Sequence, residues 1–147
     1  MKIREIKENK KQFLSLLLLA DEQENMLDRY LERGTMYVLD DNGVKAECVV
    51  ADEGDGILEI KNIATVPEYQ GKGYAKALID FIVKEYADKY SVLQVGTGDS
   101  PLTVPFYEKC GFVRSHIIPN FFTNNYDHPI FECGVRLTDM VIFQRNL

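Results

Sequence analysis

No stretch of this chain is long and apolar enough to cross a membrane. The densest apolar run, Phe13 to Ala20, is broken by Ser15 and falls well short of ~18 residues. The opening Met1-Lys2-Ile3-Arg4-Glu5 alternates charge and bulk as a strand does, which excludes a secretory leader there. Cysteine is scarce: Cys48, Cys110 and Cys133 cannot all pair and match no zinc spacing, so a reducing, cytoplasmic setting and no metal are expected. Positive charge is also in deficit, with 17 Lys and Arg against 23 Asp and Glu, a net of -6. An acidic surface repels a phosphate backbone, and no basic run is interleaved with aromatics, so nucleic acid is not an expected partner. Acidity favours a cationic substrate through long-range steering, although it also serves solubility alone.

No repeat, low-complexity tract or Pro/Ser-rich linker divides the 147 residues, which read as one domain, residues 1–147. An apolar fraction of 46% supplies its core. Lys2–Ile6 reads as a strand. Helical spacing follows from Lys10 to Gly34, broken at Ala20-Asp21 and stopped by Gly34. Thr35–Asp40 and Val44–Ala51 are strands joined through Asp41-Asn42-Gly43, a hairpin signal. A strand from Ile57 to Val66 ends at Pro67. Ala75, Leu78, Ile79, Ile82, Val83 and Tyr86 then mark an amphipathic helix over Gly73–Tyr90. Val92–Val95 reads as a short strand, Thr103–Cys110 as a helix closed by Gly111, and Phe112–Ile118 and Val135–Arg145 as closing strands around a long loop. Three consecutive strands followed by alternating helix and strand predict an α/β chain with a mixed sheet and helices on both faces.

Chemistry concentrates where the strand ending at Pro67 turns through Gln70-Gly71-Lys72-Gly73-Tyr74-Ala75-Lys76 into the long helix. The first turn of a helix has N–H groups without intrahelical partners and the positive end of the macrodipole. Gly71, Gly73 and small Ala75 let a ligand approach that backbone, so the turn is built for an anion such as a pyrophosphate. The same glycines also suit a plain strand-to-helix turn. P-loop and dinucleotide fingerprints both fail on spacing.

Gln70-Gly71-Lys72-Gly73-Tyr74-Ala75 resembles the acetyl-CoA signature Gln/Arg-x-x-Gly-x-Gly/Ala of the GCN5-related N-acetyltransferases. Phe106-Tyr107-Glu108-Lys109-Cys110-Gly111-Phe112 resembles their aromatic-Tyr-x-x-x-Gly-Phe block. The strand order suits the same family, and Phe121–Met140 looks like a segment of its poorly characterised bacterial members. The resemblance implies the family's fold, a central twisted mixed sheet of about seven strands flanked by about four helices. It also implies acetyl transfer from acetyl-CoA directly to a primary amine of a small molecule or peptide, with a homodimer through the last strands a common arrangement.

Residue by residue, the resemblance implies that amides of Gly71, Lys72, Gly73, Tyr74, Ala75 and Lys76, after Gln70, cradle the CoA pyrophosphate. Backbone groups of Ile63, Ala64 and Thr65 would pair with the pantetheine arm, in an opening between Ile60–Val66 and Val92–Val95. Ser100 stands where the family often has a CoA-touching Asn. Tyr107 fits the acid that protonates the departing thiolate; a phenol of pKa ~10 is a weak donor to a thiolate of ~8.5 unless a local field lowers it. The competing reading of Tyr107 is a core aromatic. Glu59 fits the general base on the strand, expected on the same side as Lys61, Ile63 and Thr65, or else simply paired with Lys61. Val95 fills the family's other base position and cannot act, while Glu132, Asp127 and His128 are further candidates. Cys48 and Cys133 read as apolar fillers, and Phe121, Phe122, Tyr126 and Phe131 as an acceptor wall or loop packing. Two other readings of the whole stay open: a CoA-binding regulatory module without turnover, and an enzyme for a longer acyl-CoA.

Overall fold

Period-two burial drives the sheet. Along Thr35–Asp40 and Val44–Asp52 (β2 and β3), Tyr37, Leu39, Ala46, Cys48 and Val50 face one core while Met36, Val38 and Val49 face another. The structure, a computed structural model describing all 147 residues, builds on these a seven-stranded mixed sheet in the order β1-β2-β3-β4-β5-β9-β6. β1 is Lys2–Ile6, β4 is Ile57–Thr65, β5 is Val92–Gly98, β6 is Val113–Ile118 and β9 is Met140–Asn146. The β2–β3 turn uses Asn42 and Gly43 at positive φ, as the Asn-Gly pair requires.

Helices cover both faces. On one lie α3 (Tyr74–Tyr86) and α4 (Val104–Lys109), burying Leu78, Ile79, Ile82 and Tyr107 against Leu58, Ile60, Leu93 and Phe143. On the other lie α1 (Leu14–Ala20) and α2 (Glu24–Leu27), which with the turn after α2 bury Leu17, Leu27 and Leu31 against Met36, Val38 and Val49. The ammonium of buried Lys10 donates to the carbonyls of Leu31 (2.8 Å) and Gly34 (2.7 Å), closing the turn that follows α2. The long late loop is more structured than its sequence suggests. It contains α5 (Phe121–Asn125) and a separate hairpin, β7 (Phe131–Glu132) with β8 (Val135–Arg136).

The decisive irregularity is in β4. Cys48 pairs with Ile63 and Val49 with Asn62, but Val50 pairs with Ile60, so Lys61 is an extra residue in the ladder. Beyond this bulge β4 leaves β5: their parallel pairing covers only Ile57–Ile60 against Val92–Val95. The expected opening therefore lies between Lys61–Thr65 and Gly96–Gly98, and Val92–Val95 is instead the closed part. β5 runs three residues further than its apolar pattern indicates because Gly96 and Gly98 continue it beside β9. A Cβ at Gly96 would collide with Met140, and one at Gly98 with Leu137.

Glu47 of β3 is fully buried with both carboxylate oxygens unpartnered, and burial pushes its carboxyl well above the ordinary range. Below the ordinary glutamate range the group is protonated whether the chain is folded or not. As pH rises the unfolded chain releases the proton first, so this residue lowers stability on the alkaline side. Glu47→Gln is expected to raise the melting temperature by a few degrees at pH 8 and by less at pH 5. Thermal melts at the two pH values check it.

Candidate active site

The bulge sets which residues face which side. Across Lys61 the alternation of β4 changes phase, placing Ile60, Ile63 and Thr65 on the α3 face and Glu59, Asn62 and Ala64 on the α1 face. Glu59 is thus not on the side of Ile63 and Thr65, because simple alternation does not survive an inserted residue. Its carboxylate takes a 2.6 Å contact from Lys61 and a short hydrogen bond from Gln94.

The open edge of β4 forms one wall of a cavity of about 490 Å³. Ile60–Thr65 and Gln70 line one side and Val95–Gly98 the other, with Leu102, Thr103 and Tyr107 behind them. The remaining wall comes from the end of α1 and the late loop, including Asp21, Phe122, Tyr126, Ile130, Glu132 and Leu137. A second cavity of about 240 Å³ adjoins it through shared Asp21, Ile60, Lys61, Gly96, Tyr126 and Met140, and it is this one that Glu59 lines, with Glu53 and Gln94. Of the two glutamate positions considered, then, Glu132 shares the larger cavity with Tyr107 and Glu59 does not.

Past Gln70, at the mouth of the larger cavity, lies the turn into α3. Gln70 Nε2 donates to the Thr65 carbonyl at 3.4 Å. Gly71 and Gly73 have φ of +78° and +86°, a region that favours glycine, and a Cβ added at either would meet no atom within 4 Å. α3 has no side-chain cap at its N-terminus. None of the six backbone N–H groups from Gly71 to Lys76 donates a hydrogen bond within the chain. Helices normally close such donors with Ser, Thr, Asp or Asn; here open space and free donors coincide. The turn is held from outside by Tyr74, whose hydroxyl donates to Asp41 Oδ2 at 2.6 Å and ties the start of α3 to the β2–β3 hairpin. An anion with the shape of a diphosphate fits this cradle, and an extended arm fits the slot that leads from it along Ile63–Thr65.

Tyr107 is buried, its ring set edge-on to Phe106 and Phe112, and it lines the larger cavity. Burial, reinforced by the charges of Cys48, Cys110 and Glu132, raises its phenol above the ordinary tyrosine value. The expected lowering field is absent, so the phenol stays protonated and acts as a hydrogen-bond donor more readily than as a full proton source. Glu132 is likewise raised, mainly by burial.

Other expected residues fall elsewhere. Ser100 is buried before α4, where its hydroxyl accepts from the Leu102 N–H at 3.1 Å and does not line the cavity. His128 and Asp127 lie outside it, in a strap that joins the late loop to the α1–α2 connection. His128 Nε2 meets Glu22 at 2.8 Å, and the Asp127 N–H donates to Gln23 Oε1 at 3.0 Å. Both carboxylates raise the imidazole's pKa. Cys133 is no filler: it is exposed at the β7–β8 turn with φ +52°. Asp21, Thr97 and Leu137 line the larger cavity without any sequence signal beyond the helix break at Ala20-Asp21. Phe122 and Tyr126 do wall the chamber; Phe131 lines it while remaining 61% exposed.

Comparison with known proteins agrees with this geometry. Residues 32–114 match the sequence model of the acetyltransferase (GNAT) domain. The uncharacterised N-acetyltransferase YvbK of Bacillus subtilis is 36% identical over 137 residues, 91% of this chain and 88% of its own length. A GNAT family acetyltransferase from Elizabethkingia anophelis, solved with acetyl-CoA bound, superposes with a TM-score of 0.93 at 32% identity, covering 99% of this chain and 97% of that one. A Bacillus subtilis acetyltransferase solved with CoA gives a TM-score of 0.89 at 34% identity, covering 99% and 98%.

Gly73→Ala puts a methyl group into the cradle at a left-handed position, where the chain itself leaves room for it. The expected result is acetyl-CoA affinity reduced by about tenfold or more, with only about 1 kcal/mol lost in stability. Calorimetric titration alongside thermal melts measures both.

Proposed function

The chain belongs to the GNAT acetyltransferases and is an acetyl-CoA-dependent N-acetyltransferase, and from that premise we propose that it acetylates a primary amine of a small molecule or peptide by direct transfer. The observation that carries this reading is the meeting, at one slot, of six free amide donors, an open β4 edge and a buried tyrosine. In this proposal residues 1–147 act as one domain. The amides of Gly71–Lys76 hold the donor's diphosphate, and the exposed backbone of Ile63, Ala64 and Thr65 aligns its arm. An N–H of the same stretch then receives the charge that builds on the thioester oxygen during attack.

Acceptor and donor enter from different sides of the splayed strands. The smaller cavity lies on the face of Glu59, and its carboxylates suit an ammonium before reaction. Glu59 is the proposed proton acceptor. Lys61, 2.6 Å from its carboxylate, holds Glu59 in place beside the smaller cavity. The amine nitrogen bonds to the carbonyl carbon, the carbon–sulfur bond breaks, and the departing sulfur takes a hydrogen bond, then a proton, from Tyr107. Because that phenol is raised rather than lowered, the step gains chiefly from hydrogen bonding to developing thiolate charge. A homodimer is proposed over β6, an edge strand whose six residues are all exposed.

Tyr107→Phe is expected to lower kcat by about tenfold to a hundredfold while leaving the acetyl-CoA Kd within about twofold. A protein that binds the coenzyme without turnover would show no rate to lose, and this outcome would replace the enzymatic reading. Glu59→Gln is expected to lower kcat by at least about tenfold with an amine acceptor, measured by thiol release. An unchanged rate would move the proton acceptor elsewhere in the chamber.

A further inference from the structure

The acceptor chamber contains more acid than its own cations neutralise. Glu53 contacts both Lys61 and Arg33, Glu59 shares Lys61, and Glu22 contacts His128. Asp21 and Glu132 have no cation within ion-pair distance. Glu132 lines only the larger cavity, where its charge bears on the Tyr107 phenol. Asp21 follows α1 and lies in the wall shared by both cavities. Its two oxygens accept from Tyr126 at 2.7 Å and Tyr30 at 3.0 Å, and the Tyr30 hydroxyl in turn accepts from Asn62 Nδ2 at 3.1 Å. Arg29, whose charge reaches Asp21, directs its guanidinium to Asn125 Oδ1 at 2.9 Å instead. Beside the carboxylate, the Tyr126 and Phe122 rings stack 5.8 Å apart.

A fixed carboxylate next to aromatic faces is the chemistry that holds an alkylammonium ion. The tyrosine hydroxyls keep it oriented, and burial makes an uncompensated charge there costly until a cation arrives. The group it holds is kept protonated, so that group is not the nucleophile, which must be neutral to attack. We propose that Asp21 is a specificity-determining residue that binds a second, non-reacting cationic group of the acceptor, making that acceptor a diamine or a longer polyamine. The inference rests on the amine-acceptor reading above and narrows it.

The test compares 1,4-diaminobutane, 1,5-diaminopentane and 1,6-diaminohexane with the n-alkylamines of equal length. Binding to the enzyme–CoA complex is measured by calorimetry, and acetylation by kcat/KM. The best diamine is expected to bind the unmodified enzyme at least about tenfold more tightly than its matched monoamine, the span of one charged hydrogen bond. In Asp21→Asn that advantage is expected to shrink to within about twofold, in a variant whose melting temperature still rises on adding acetyl-CoA. Phe122→Ala, which keeps the carboxylate, is expected to narrow the advantage only in part. Equal binding of diamines and monoamines by the unmodified enzyme overturns the proposal, and so does an advantage that survives Asp21→Asn unchanged. If the diamine advantage appears in binding but no amine is acetylated, Asp21 keeps its role and the acetyl-acceptor reading falls.

Discussion

One extra residue in a β-ladder governs the rest of this molecule. Lys61 bulges out of β4, the hydrogen bonds to β5 stop at Ile60 and Val95, and two parallel strands that would otherwise zip together stand open. Unpaired strand edges are normally a liability, and here the exposed edge is enclosed by the late loop and the end of α1. The same insertion reverses the facing of every side chain beyond it. Glu59 and Lys61 therefore meet on the α1 side, while Ile63 and Thr65 turn towards α3.

The electrostatic design divides along the same line. At the proposed donor end, the groups on offer are backbone dipoles at the start of α3, fixed by two left-handed glycines and by the Tyr74–Asp41 hydrogen bond. At the proposed acceptor end they are side chains: carboxylates, one lysine and stacked aromatic rings. Between them Tyr107 is held protonated by burial, a state suited to meeting a leaving anion with a hydrogen-bond donor.

How much of this was legible in the chain follows from the range of the forces involved. The Asn42-Gly43 hairpin, the stop at Gly34 and the glycine turn before α3 are local conformational demands, and each reads directly from neighbouring residues. The cradle is legible for the same reason, since free amides at a helix start need only glycines and the absence of a capping side chain. The bulge is not, because Glu59, Lys61, Ile63 and Thr65 alternate in sequence as though nothing were inserted between them. Asp21 escapes notice because its partners, Tyr30 and Tyr126, lie 9 and 105 positions away. At Ser100 the sequence shows the position but not the partner, the Leu102 N–H from which its hydroxyl accepts. The extension of β5 over Gly96–Gly98 is hidden because glycine carries no strand signal, and only Met140 and Leu137 packed across it explain its choice.

A cradle made of main chain has a consequence for how such a protein diversifies. Peptide amides are present whatever the neighbouring side chains become, so mutation around α3 can alter charge and shape without erasing the proposed donor site, provided the two glycines stay. The chamber lined by Asp21, Tyr126 and Phe122 has no such insurance, since each of its contacts disappears with a single codon. On the proposed assignment, the activated thioester is thus the half of the reaction that drift leaves in place, and the molecule it modifies is the half open to reassignment.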